Sequence, residues 1–170
     1  MFTIESFISA WRKESQICIN LFGKIPPGGL DYRPTPGQRN TLELLRYLSY
    51  GPYNGLMKTL SGDWQMGRST AEVTAGMPAS DFADRMAWQA EAAARELRSV
   101  SVATLDLEMA YPWGETMKRG EGLSLYPMRW LTGYRMQLFL YLKAAGATQL
   151  NTADCWRVVS AQPAVPVKAA

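Results

Sequence analysis

The sequence predicts an all-α fold: a four-helix bundle with one small β-hairpin between its third and fourth helices. Three observations carry that expectation. Apolar residues recur at helical spacing over four long stretches. Proline and glycine separate those stretches. A single segment, near residue 105, alternates apolar and polar with period two. The chain has 170 residues, of which 47% are hydrophobic and 19% charged, enough apolar material for one packed core. Residues 1–159 read as one helical domain and 160–170 as a flexible, Pro- and Ala-rich C-terminal tail.

The first helix starts at a Thr3 cap and carries Ile4, Phe7, Ile8, Trp11, Cys18, Leu21 and Phe22 on one face, up to the Pro26-Pro27-Gly28-Gly29 breaker. The second is expected behind Thr35 as N-cap, with Pro36 in the first turn and Gln38 completing a capping box. Leu42, Leu45 and Leu48 form its inner stripe. Gly51-Pro52 should kink or break it, because proline lacks a donor and crowds the preceding turn. Helical pattern resumes at Tyr53 and Leu56, and residues 61–76 read as a loop. The third helix runs from Met77-Pro78-Ala79-Ser80 to about Ser101, with small Ala90 and Ala93 on its inner stripe beside Phe82, Met86 and Leu97. The alternating stretch from Thr104 to Tyr111 predicts a strand that turns at Pro112-Trp113-Gly114-Glu115 and returns over Thr116 to Gly120. The fourth helix covers Ser124 to Ala145 and ends at Gly146. A short helical turn carrying Trp156 follows Asn151.

Composition restricts the chemistry. The chain contains no histidine, so a Ser-His-Asp triad, a Cys-His dyad and a His-based zinc site are all excluded. Eighteen Lys and Arg against fifteen Asp and Glu leave a net charge of +3, with basic residues scattered rather than clustered, which argues against a nucleic-acid partner. No stretch approaches the length of a membrane span, and the N-terminus does not read as a signal peptide. A cytoplasmic protein is the expectation. Cys18 falls on the apolar stripe of the first helix, whereas Cys155, near the end, is expected to be the more accessible thiol. Asp106 and Glu108 would share one strand face, a solvated pair rather than a cation site.

Two segments carry a resemblance. Arg33-Pro34-Thr35-Pro36-Gly37-Gln38-Arg39 leads into Thr41-Leu42-Glu43-Leu44-Leu45-Arg46-Tyr47-Leu48, and the fourth helix contains Trp130-Leu131-Thr132-Gly133-Tyr134-Arg135-Met136-Gln137. These resemble the landmark segments of the DinB/YfiT-like four-helix bundles, in which Leu-Leu-x-His and His-x-x-x-His-Arg-x-Gln supply three histidines to a nickel or zinc ion. Known activities of that family centre on transfer of small cofactor thiols, and its members often pair as homodimers. Here the three histidine positions are Tyr47, Trp130 and Tyr134, while Arg135 and Gln137 remain. The resemblance therefore implies the fold with its metal site lost and no cofactor.

The candidate ligand pocket is Tyr47, Trp130, Tyr134, Arg135 and Gln137, with Glu43 one turn before Tyr47; no metal ligands and no catalytic residues are assigned. Such rings with one cation suit a small, partly apolar, anionic ligand. The same rings could instead fill the vacated space as core, which would leave a purely structural or interaction bundle. A thiol-dependent transferase working without the metal, with Tyr47 or Tyr134 polarising the reacting group and Arg135 holding an anionic group, is the alternative function.

Overall fold

A computed structural model of the chain describes residues 3–158; the expected C-terminal tail lies outside the described residues. Helix α1 spans Ile4–Phe22, and its start matches expectation: extended Thr3 accepts from the Ser6 N–H through Oγ1 at 3.1 Å.

Helix α2, Thr41–Leu48, starts six residues beyond the expected cap at Thr35. Asn40 Oδ1 accepts from the Glu43 N–H at 2.8 Å, and the Glu43 carboxylate accepts from the Asn40 N–H at 2.8 Å. That reciprocal box satisfies two orphan donors at once and sets the first turn. Thr35 and Gln38 close only an isolated turn, the Gln38 N–H donating to the Thr35 carbonyl at 3.0 Å.

The break at Gly51-Pro52 is real. Helix α2 stops at Leu48 and α3 runs Gly51–Ser61. Pro52 brings no N–H back to the Leu48 carbonyl four residues earlier. Gln89, wholly buried on a neighbouring helix, supplies the missing donor: its Nε2 reaches the Leu48 carbonyl at 2.8 Å.

Residues 61–76 are not all loop. A short helix α4, Thr70–Thr74, forms behind a Ser69/Glu72 capping box that the aperiodic composition conceals. Helix α5, Phe82–Ser99, then runs antiparallel to α1, as the cross-links Arg12–Glu91 at 2.6 Å and Arg98–Glu5 at 2.8 Å show. These ion pairs are solvated and contribute little. The α1–α5 seam rests on the buried Ala90, Ala93 and Leu97 along the stretch of Ile8 and Trp11, and on buried Leu21 and Phe82 at its other end.

The strand expectation from Thr104 holds only in part. Ser101 Oγ caps a helical turn, accepting from the Thr104 N–H at 3.0 Å, so α6 occupies Val102–Asp106. The hairpin is confined to β1, Glu108–Ala110, and β2, Thr116–Lys118, antiparallel with Met109 opposite Met117. Asp106 is therefore not beside Glu108 on a strand; it pairs with Lys118 at 2.9 Å.

The fourth long segment is composite. Helix α7, Arg119–Leu123, enters one wider π turn over Ser124–Met128, and α8 follows as Arg129–Ala144. Pro127 sits within the wide turn, where the loosened hydrogen-bond ladder accommodates a residue with no N–H. Gly146 lies just past the end at φ 98°, the left-handed position glycine favours. A short α9, Thr152–Trp156, closes the described chain.

Together α1, α2 with α3, α5 and α8 form the helical bundle. Helix α1 packs on α5 and α8, α2 on α8, and α3 on α5 and the π turn. Leu44, Leu45, Leu48, Phe82, Met86, Leu131, Leu138 and Leu142 converge in the core. Among the described residues no helix is long and apolar enough to cross a membrane.

The bridge from Gln89 to Leu48 is testable. Gln89→Met keeps the volume but leaves the Leu48 carbonyl buried without a donor, and should lower the unfolding free energy by about 1–3 kcal/mol in urea denaturation. An unchanged midpoint would show that the carbonyl finds another partner.

Candidate functional site

Tyr47, near the end of α2, and Tyr134, in the first half of α8, meet with ring centroids 4.7 Å apart and planes tilted by 59°. The Leu44-Leu45-Leu48 stripe holds α2 against α8 and so brings the two rings together. Just ahead of the Asn40 cap, exposed Arg39 folds back over both: its guanidinium carbon is 4.3 Å from the Tyr47 centroid and 5.9 Å from that of Tyr134.

On the outer side of Tyr47 is a cleft of about 350 Å³ between α2 and α4. Arg39, Glu43, Arg46 and Tyr47 line one wall, and Ala71 and Thr74 belong to the other. The polar groups are largely positioned by the backbone. Arg46 Nε donates to the Met77 carbonyl at 2.8 Å. Glu43 is doubly engaged: it forms the capping box and pairs with Arg33 at 3.0 Å. The Arg33 guanidinium and the Asn40 N–H hold the Glu43 carboxyl below the usual carboxylate range. The Tyr47 phenol moves the other way. Burial, followed by the neighbouring Tyr134 phenol, pushes it up to about 12, against the opposing pull of Arg39. At neutral pH Tyr47 is thus a hydrogen-bond donor and not a base.

The remaining candidates are dispersed. Trp130 lies against α3, where a Cβ on Gly55 would fall 2.6 Å from its Cζ3. One turn earlier, a Cβ on Gly51 would fall 2.9 Å from the Tyr47 ring. The rings of Tyr47 and Trp130 therefore press against successive turns of one glycine-faced helix. Trp130 otherwise faces a different cluster, with Trp64 at 6.1 Å and Trp113 and Tyr126 each at 6.5 Å between centroids. There the Tyr126 hydroxyl donates to Glu115, and the Trp113 Nε1–H lies 3.0 Å from the same carboxylate.

Arg135, adjacent to Tyr134 in sequence, points to another side of α8. It is 2% exposed, reaches Glu14 on α1 at 2.5 Å, donates to the Cys155 carbonyl, and stacks on Trp156 at 4.9 Å. Gln137 is spent on the Tyr141 hydroxyl at 2.5 Å. The structure thus groups Tyr47, Tyr134 and Glu43 with Arg39 and Arg46. It places Trp130 one turn further along α3, and takes Arg135 and Gln137 elsewhere. Sequence reasoning passed over Arg39 and Arg46: Arg46 falls three residues after Glu43 on one face of α2, a readable signal, whereas Arg39 lies ahead of the helix and shows none.

Cys155 corrects a second expectation. It is 1% exposed, with Arg135 Nη1 3.1 Å from its sulfur, and burial raises its thiol pKa despite that cation. Cys18 is fully buried, as its place on the α1 stripe predicts.

The residues at the three histidine positions do not fit a nickel or zinc ion. Tyr47 is a protonated phenol whose ring is already covered by a guanidinium, an indole offers no lone pair, and Trp130 faces the hairpin cluster. Among the described residues no three Cys, Asp or Glu side chains are grouped to hold a metal ion.

No family model and no curated protein matches the chain. Among solved structures it is similar to a DinB-like protein, YjoA, from Bacillus subtilis, with a TM-score of 0.63 at 17% sequence identity, over 85% of this chain and 94% of that one. The fold is that of a DinB-like helical bundle.

Two measurements probe this geometry. Between about pH 10 and 12 the unfolded Tyr47 has lost its proton while the folded one keeps it, so stability should fall as pH rises through that window. Titrated by phenolate absorbance, the wild type should show a late-ionising tyrosine near 12 that Tyr47→Phe lacks. Arg135→Met leaves Glu14 and the Cys155 carbonyl without their partner. It should cost about 3 kcal/mol in chemical denaturation and expose Cys155 to thiol reagents, because α9 loses one of its two charged anchors, the other being the Lys24–Asp154 pair.

Proposed function

We propose that the protein is a metal-free, small-molecule-binding bundle whose ligand occupies the cleft between α2 and α4, with Tyr47 as its floor. In this reading the family's metal site has been lost: Tyr47 and Tyr134 fill its place with a tilted ring pair, and Trp130 closes the space toward the hairpin. The observation that carries the reading is the opening on the outer face of Tyr47. It is about 350 Å³ in volume, within the range of small-ligand sites, and is bordered by alanine and threonine on one side and by cations and a phenol on the other.

Thiol transfer without the metal draws less support from the same geometry. Tyr47, which that mechanism would use to polarise the reacting group, holds its proton up to about 12. Arg135, the expected anion clamp, is buried against Glu14 and α9.

A cleft-filling substitution tests the proposal. Ala71 is exposed on α4 and lines the opening, so Ala71→Trp should occupy the space without entering the core. Ligand-observed NMR with a library of single-ring and short-chain compounds should give binders to the wild type whose affinity falls at least ~10-fold in Ala71→Trp, with the thermal midpoint unchanged. Binders unaffected by the substitution, or none at all, would remove the cleft as the site.

A further inference from the structure

We infer that the α2–α4 cleft selects a small organic carboxylate, its anionic head held by Arg39 and Arg46 and its apolar body against Ala71 and Thr74. The inference rests on the proposed binding role of the cleft and adds the chemical class of the ligand.

The charge balance of the walls points there. The cleft is bordered by two guanidinium groups and one carboxylate. The carboxylate, Glu43, is already matched by Arg33, which is not among the lining residues, and by the Asn40 N–H. Among the described residues Arg39 has no carboxylate within ion-pair distance. Its guanidinium carbon lies over the Tyr47 ring at 4.3 Å, and that ring contact takes up no N–H in a hydrogen bond to an acceptor oxygen. Arg46 gives only Nε to the Met77 carbonyl, which orients the group and leaves its terminal nitrogens to donate. The site therefore carries two cations whose terminal nitrogens are not consumed by the protein, placed beside a small apolar wall.

Size and polarity narrow the ligand further. A volume of about 350 Å³ lies at the lower end for small-molecule sites and suits a single ring or a short chain. Planar guanidinium forks match the two oxygens of a carboxylate. A neutral amide offers one carbonyl acceptor and no charge, so it leaves at least one guanidinium without an anionic partner and forfeits the charge-assisted pairing that a carboxylate provides.

Benzoate and benzamide are matched probes for this difference. Each would be titrated into the full-length protein while the backbone amides of Ala71, Thr74 and Ala75 are followed by NMR. Benzoate is expected to bind at least ~10-fold more tightly than benzamide. Arg39→Gln, an exposed change remote from the core, should weaken benzoate about tenfold and leave benzamide within about twofold. Arg46→Gln should act in the same direction. Equal binding of the two probes would overturn the carboxylate assignment while leaving the cleft as a binding site. Benzoate binding that is indifferent to both substitutions would overturn the role of the arginines. Shifts from neither probe, with binders to the cleft found among neutral library compounds, would overturn the ligand class alone; with no binder of any kind, the underlying reading fails as well.

Discussion

Two aromatic rings lie directly on the backbone of α3, Tyr47 against Gly51 and Trp130 against Gly55, and the arrangement of the site follows from that contact. A side chain at either glycine would collide with ring carbons at 2.9 Å or less, so the two rings and the helix can approach only because those residues are glycine. Once Tyr47 is pressed against α3, its other face is available to Tyr134 and Arg39. Trp130, displaced one turn along, becomes the link between the bundle and the hairpin's aromatic cluster. Tyr47 and Trp130 are thus packing elements for α3, and the open space beside Tyr47 is the cleft toward α4.

Electrostatics then divide the polar groups into those that build and those that remain available. Glu43 starts α2 and neutralises Arg33; Gln89 repairs the carbonyl that Pro52 leaves open; Arg135 binds α1, α8 and α9 together. Each is consumed by structure. Arg39 and Arg46 differ, for one is tethered by a ring face and the other by a single nitrogen. A group's position in a landmark segment therefore says little about its task. Arg135 keeps its place in the segment that resembles the family pattern, yet its guanidinium is buried on a different side of the helix from Tyr134.

Much of the fold was legible because it depends on periodicity. The stripes of α1, α5 and α8, the break at Gly51-Pro52 and the small Ala90 and Ala93 are all visible as spacing. What the sequence concealed depends on competition between local options. Thr35-Pro36 and Asn40 both offer a helix start, and only the reciprocal bonding of Asn40 with Glu43 decides between them. Leu105 and Leu107 fit a strand period, but Ser101 caps a helical turn first. For the site, the pairing of Tyr47 with Tyr134 followed from two aligned segments. The cleft did not, because its second wall is α4, a five-residue helix with too little length to display a period. Cys155 was misjudged because nearness to the chain end says nothing about a buried arginine waiting on α8.

The wide turn over Ser124–Met128 has a consequence for orientation. A π turn holds roughly one residue more than an α turn, and so advances everything beyond it by about 100° around the helix axis relative to a regular helix. Residues 119–123 and 129–144 are for that reason out of phase with each other: they share a chain direction but present different sequence faces to the bundle. The turn works as an angular spacer. It lets Tyr126, within the turn, face the hairpin while Leu131, Leu138 and Leu142, beyond it, stay aimed at the core. Loss of one residue from this turn would be felt as rotation rather than shortening, carrying the aromatic cluster and the core stripe out of mutual alignment.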